Sequence, residues 1–153
     1  MTNYYCLVTG LPELSLEDGK LSYTVANFKT EIYPDLSKAD KKLVDLFYLK
    51  FDNSNLLTLL KDKEASVDTS LGNYSADELL SVIASFKEET APDKKFPTYF
   101  YEFAELYLNT PDEERLGLED KLYGLYYNHA MKSGNPFISA WFELNLDVNN
   151  ILA

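Results

Sequence analysis

SKADKKLVDLFYLKFDNSNLLTLLKD, Ser37 to Asp62, decides how this chain folds. Ser37 is followed three residues on by Asp40, an N-cap with an acid in the first turn, where a carboxylate complements the helix dipole. Leu43, Leu46, Phe47 and Lys50 step along one face, with Val44 and Phe51 beside them. Leu56, Leu57, Leu59 and Leu60 carry the helical period further. No Gly or Pro interrupts the run. The spacing predicts one long helix over about 37–62. Its apolar residues wrap much of the circumference, so it belongs at the centre of a core rather than at its edge.

The segments around this helix carry helical punctuation too. Ser75 and Glu78 form an S-x-x-E capping box. It opens a helix with Leu79, Leu80, Val82, Ile83 and Phe86, which ends in the charged run KEE. APDKKFP is a loop by its prolines and charges. In FPTYFYEFAELYLN, residues Phe96, Phe100, Phe103 and Tyr107 fall three or four apart, which predicts a core-facing aromatic stripe, with a ligand platform as the alternative. Thr110 and Pro111 suit an N-cap and first helical residue. Gly117 breaks that segment, leaving a main helix over about 118–132 with Gly134 as its C-terminal cap. Asn135 and Pro136 then start a final helix bearing Phe137, Ile138, Trp141, Phe142, Leu144 and Leu146. Nearer the N-terminus, NYYCLV and KLSYTV read as short strands around a Pro/Gly loop or as helix ends, with helix ends preferred. VANFKTEIY reads as a helix stopped by Pro34. The expected fold class is all-α: a multi-helix bundle lobe, with short extended segments near the N-terminus.

Composition narrows the function classes. The 153 residues suffice for one domain. A net charge of −11 repels phosphate backbones and anionic membrane surfaces, so nucleic acid is excluded as a partner, while a basic protein partner would be attracted. Cys6 is the only cysteine, which rules out an intrachain disulfide and a Cys-based zinc site. MTNYYCLVTGLPEL lacks the basic start and apolar stretch of a secretory signal, and no apolar run approaches the ~20 residues that span a bilayer. A cytoplasmic protein with no direct membrane insertion is expected.

Two oily segments share an unusual polar pair. KFDNSNLLTLL holds Asp52 and Asn55, and NLDVNNILA holds Asp147 and Asn150. Residues three apart sit side by side on a helix. Asp and Asn are mediocre helix formers, because their side chains compete for backbone groups. Placing both in an apolar helix twice points to a structural latch: the carboxylate accepts from amides at a neighbouring helix N-terminus, and the amide both donates and accepts. A solvent-facing pair and half of a metal site are the alternatives. The match extends upstream, where LFYLKFD aligns with WFELNLD without gaps, placing Phe47 on Phe142, Leu49 on Leu144 and Phe51 on Leu146. The period is too long for the familiar short solenoids and suggests a duplicated lobe. Residues 1–134 are expected to form one helical lobe. Residues 135–153 would be the opening helix of a second, truncated lobe, packed on the first as one unit, which makes the chain a piece of a longer protein.

Repeated helices carrying D-x-x-N-[LI], followed a turn later by a basic residue, resemble the C/d subunit family of V-type ATPases and ATP synthases. Asp52, Asn55, Leu56, Leu59, Leu60 and Lys61 fit that pattern, and Asp147, Asn150 and Ile151 begin it again. The opening YYCLVTGLPEL is similar to a bacterial branch of uncharacterised proteins linked to V-type ATPase gene clusters. The resemblance implies a non-catalytic rotor subunit. Its partners would be the other V-type ATPase subunits, the membrane ring and the central shaft, and it would sit in the cytoplasm at the inner face of the membrane through that complex. A generic helical adaptor, or a peptide- or ligand-binding module with an aromatic-rich surface drawn from FPTYFYEFAELY and LYGLYY, is the other reading.

No enzyme motif competes with these. His129 is the single histidine, on a helix among tyrosines, and reads as a packed or surface residue. There is no nucleophile motif, phosphate-cradling Gly loop or H-E-x-x-H. Glu88-Glu89 and Asp112-Glu113-Glu114 are adjacent acids that point in different directions on a helix and make poor chelators; no EF-hand pattern is present. No catalytic, cofactor-binding or metal residue is nominated, and no cofactor is expected.

Overall fold

The computed structural model describes residues 4, 9–11, 13, 16–17, 20–21, 23–88 and 90–152. Among them run six α-helices: α1 (Val25–Glu31), α2 (Lys38–Lys61), α3 (Ala76–Glu88), α4 (Thr98–Asn109), α5 (Leu118–Met131) and α6 (Pro136–Leu152). Short 3-10 turns cover Tyr33–Asp35 and Asp112–Glu114. Extended structure among the described residues is one antiparallel pair, β1 (Leu16–Glu17) with β2 (Lys20–Leu21), in which Leu16 faces Leu21. The fold is an all-α multi-helix bundle. Most of NYYCLV, including Cys6, and Glu89 of the acidic run lie outside the described residues.

The chain forms two compact units, Met1–Asp45 and Leu46–Ala153. In the first, Thr24 and Asn27 make a reciprocal capping box at the start of α1. Pro34 sits in the 3-10 turn that follows, as its blocked N–H and fixed φ require. Ser37 caps the next helix: its Oγ accepts from Asp40 N–H at 3.2 Å and donates to the Asp40 carboxylate at 2.6 Å. The Tyr4 hydroxyl also donates to Asp40 and accepts from Ser37 N–H at 2.9 Å.

The second unit holds the main core. Within it α2 buries Tyr48, Leu49, Asp52, Asn53, Asn55, Leu56, Leu57, Leu59 and Leu60. These positions cover somewhat more than half of the helix circumference, leaving Lys50, Ser54 and Lys61 exposed on the other side, so the helix is apolar around much of its circumference as its sequence predicts. The expected box at Ser75 forms: Ser75 N–H donates to Glu78 Oε2 at 2.8 Å, and Glu78 N–H to Ser75 Oγ at 3.3 Å. On α4 the aromatic stripe is core, with Phe96, Phe100, Phe103 and Tyr107 all buried. Leu122, Tyr126 and Ala130 of α5 and Ile138 and Phe142 of α6 complete the interior, each set at four-residue steps.

One expectation changes. Thr110–Pro111 does not open a helix, because Pro111 leads only into a single 3-10 turn. Arg115 takes over there. Its Nε donates to the carbonyls of Tyr107 (3.2 Å) and Thr110 (3.0 Å) at the end of α4, its guanidinium lies 4.4 Å from the Tyr107 ring, and it pairs with Asp112. The left-handed Gly117 (φ +92°) then starts α5.

The last two helices are joined by the turn at residues 134–136. Gly134 does end α5, with φ +79°, and Asn135 Oδ1 caps the N–H groups of Phe137 and Ile138. From this turn α6 folds straight back on α5. The Phe142 ring packs 5.3 Å from Tyr126 and 5.7 Å from Tyr127, with Phe47 at 5.4 Å. The Gly-Asn-Pro turn makes a helical hairpin inside the second unit.

Candidate functional site

The Asp52/Asn55 pair is a working latch. Asp52 is fully buried. Its Oδ1 accepts from Asn73 N–H at 2.9 Å and Tyr74 N–H at 3.1 Å, and its Oδ2 also lies 2.9 Å from Asn73 N. One turn further along α2, Asn55 Nδ2 donates to the Asp68 carbonyl at 2.9 Å. The segment from Asp62 to Ser75 has no regular structure of its own. Connections of that length are uncommon in compact domains. Here two side chains on one face of α2 hold it at two places. Gly72 permits the close approach, since a Cβ there would lie 2.4 Å from Asp52 Oδ1.

The latch reaches beyond α2. Tyr74, gripped through its amide, sets its ring 5.0 Å from Phe96 and 5.7 Å from Phe100, and its hydroxyl donates to the Lys95 carbonyl at 3.1 Å. The following residue, Ser75, opens α3, and Glu78 of its capping box pairs with Lys95. That cation, with the Ser75 hydrogen bonds, holds the Glu78 carboxyl below its usual range. A single carboxylate thus aligns the starts of α3 and α4 on α2.

Other polar groups tie the same seams. Tyr99 donates its hydroxyl to Asn53 Oδ1 at 2.6 Å, and Tyr126 donates to the Leu46 carbonyl at 2.6 Å. Burial raises both phenol pKa values well above normal, with the nearby Asp52 charge adding to each. Asn53 Nδ2 is buried without a partner among the described residues. His129, half-buried 5.3 Å from the Tyr99 ring, has its pKa lowered by burial and by Lys132. It packs against Tyr99 while staying partly exposed, within the packed-or-surface reading of its sequence setting.

The second copy of the motif is not a latch within this chain. Asp147 and Asn150 are exposed on the later turns of α6, and neither has a hydrogen-bond partner among the described residues. The aligned apolar positions diverge in the same way: Leu49 is 3% exposed and Leu144 61%. The cause is tertiary. The loop and helices that cover α2 have no counterpart over α6 among the described residues. One aligned pair does meet, since Phe47 and Phe142 are the rings that stack together.

The tyrosines also separate. Tyr48, Tyr99, Tyr107 and Tyr126 point into helix seams, whereas Tyr101 of FPTYFYEFAELY is half-buried and lines clefts beside the connection between α3 and α4. In LYGLYY, by contrast, Tyr123 and Tyr127 line an open groove of about 610 Å³ between α5 and α6, with Asp120, Leu146, Asn149 and Asn150. Asn149 Nδ2 donates to the Tyr127 hydroxyl at 3.0 Å across it. Burial, with the nearby Glu119, raises the Tyr123 pKa. Sequence reasoning names the aromatics of LYGLYY but misses Leu146, Asn149 and Asn150, because they come from a second helix. Among the described residues no cluster of three or more His, Cys, Asp or Glu could hold a metal, and no helix is long and apolar enough to cross a membrane.

Searches of curated proteins and of solved structures return no match. One family model matches across residues 1–153, described as "Protein of unknown function (DUF2764)". This chain is a member of the DUF2764 family.

Proposed function

We propose that the protein is a non-catalytic helical subunit of a rotary ATPase, of the kind that joins the central shaft to the membrane ring, as the C/d subunit of V-type ATPases does. One observation carries this reading. The D-x-x-N-L motif that prompts the resemblance acts as a mechanical part: Asp52 and Asn55 pin a long connection and align the starts of two helices on a third. A torque-transmitting subunit needs such cross-bracing, because a frame whose connections yield would dissipate the rotation as local motion. The net charge of −11 suits docking against basic loops of a ring or shaft from the cytoplasmic side. The direct test is affinity isolation of the natural protein from native membranes at low and high salt. V-type ATPase ring and shaft subunits should co-purify at low salt and be lost at high salt. Their absence at low salt refutes the reading.

The groove at Tyr123 and Tyr127 favours a second reading, a binding module for a peptide or small ligand. Two aromatic faces beside amide and carboxylate groups are the usual furniture of such a site. Under this reading, ligand-induced NMR shifts should cluster at Tyr123, Tyr127 and Asn149. A spread over unrelated surfaces would remove it.

A further inference from the structure

We infer that the outer face of α6 is a docking surface for an amphipathic helix of a partner protein whose apolar stripe is flanked by Lys or Arg. Phe137, Trp141, Leu144, Val148 and Ile151 follow one another at alternating steps of four and three, the heptad spacing of a helix seam. All five are exposed, Phe137 at 71%, Leu144 at 61% and Ile151 at 81%. Together they present on the order of 500 Å² of apolar side chain in one line, at the upper end of what a monomer leaves open without a purpose. An adjoining face of α6, roughly a quarter to a third of a turn away, is already used, with Ile138 and Phe142 buried. The helix is therefore apolar on two sides, which a surface helix with one packed face does not need.

The internal duplication indicates the kind of occupant. Leu49 and Leu56 of α2 align with Leu144 and Ile151, and both are buried in the helical core, at 3% and 0% exposure. At these two positions the aligned side chains are covered within a helical bundle, while Phe137, Trp141 and Val148 align with Lys42, Leu46 and Asn53. Charge selects among helices. Glu143 and Asp147 stand four apart along one edge of the stripe, both exposed, and α6 contains no Lys or Arg. A partner with cations along that edge gains two ion pairs, whereas a second copy would set a chain of charge −11 against another. The inference concerns this face alone and stands whether or not the protein belongs to a rotary ATPase.

The single tryptophan lies in the stripe and reports on it. The probe is a hydrocarbon-stapled helical 21-mer with Leu at the heptad seam and Lys on both flanks, titrated against the intact protein. The control is the same peptide with Glu on its flanks. The Lys peptide should shift Trp141 emission to the blue and bind at least about tenfold more tightly than the Glu peptide. Leu144→Asp should weaken it about tenfold or more, even though it adds an attractive charge, because an anchor at the centre of the seam is lost. Glu143→Lys with Asp147→Lys should cost the Lys peptide roughly three- to fivefold and improve the Glu peptide. All three substituted positions are exposed, and unchanged far-UV circular dichroism verifies each fold. Equal binding of the two peptides, or indifference to Leu144→Asp, overturns the proposal. So does a Trp141 shielded from acrylamide in the free protein, which means the chain covers this face itself. A dimer by light scattering that Leu144→Asp dissociates overturns it in favour of a second copy.

Discussion

Replacing Asp52 by Ala should cost the protein far more than replacing Asp147 by Ala, although the two residues occupy the same place in the repeated motif. Asp52 is buried and accepts from the amides of Asn73 and Tyr74. Removing it takes the buried acceptor from two part-buried backbone donors, at up to about 1–3 kcal/mol each. The loss of about 2–6 kcal/mol is a large part of the 5–15 kcal/mol that holds a typical domain together. With a urea m-value of about 1–3 kcal/mol/M, the midpoint should fall by roughly 1–3 M. Asp147 is exposed and unpartnered among the described residues, so its removal should change stability by less than about 0.5 kcal/mol. Urea unfolding followed by Trp141 emission and far-UV circular dichroism measures both in the same unit of the fold. Equal effects at the two positions, or a shift below about 0.5 M for Asp52→Ala, would refute the account of Asp52 as the residue that aligns α3 and α4.

Three further outcomes follow from particular contacts. Gly72→Ala should destabilise by roughly 1–3 kcal/mol, because its Cβ would fall 2.4 Å from Asp52 Oδ1; in the Asp52→Ala background the penalty should shrink, and strict additivity in a double-mutant cycle would contradict the shared contact. Tyr126→Phe removes the 2.6 Å bond to the Leu46 carbonyl and should cost about 1–2 kcal/mol by thermal or urea unfolding, with no change in helix content. The folded-state pKa of His129 should lie below its unfolded value near 6.5, because burial and Lys132 oppose the imidazolium. The unfolded chain then binds the proton more readily, so stability falls as pH drops through that value, and His129→Gln should flatten this part of the profile. An imidazole pKa above 6.5 by NMR titration would contradict that assignment. The lowered carboxyls of Asp68 and Glu78 also weaken the fold on acidification, but in the separate window below their unfolded values near pH 4.

Much of the architecture is legible in local residue chemistry. The limits of α2, the capping box at Ser75, the caps at Gly134 and Asn135 and the buried stripe on α4 all depend on neighbours within one or two helical turns. Side-chain period and backbone capping therefore reveal them directly. The latch is legible in part. Asp and Asn three apart in an apolar helix announce a polar job, but not the partner, which is a loop of the same chain more than a dozen residues away. The reach of Arg115 back to α4 and the groove between Tyr127 and Asn149 left no local signal, since each joins residues that only folding brings together.

The repeated motif marks the division most clearly. By itself the sequence determined the helices and wrote the same face into two of them, Asp52, Asn55 and Leu56 in α2 and Asp147, Asn150 and Ile151 in α6. Tertiary structure decided that the first face is core and the second is surface. The reason is physical: a helix face is buried only where another part of the fold lies over it. In the second unit the 62–75 connection and the helices that follow it cover α2, while α6 packs its Phe142 side against α5 and turns its heptad stripe to water.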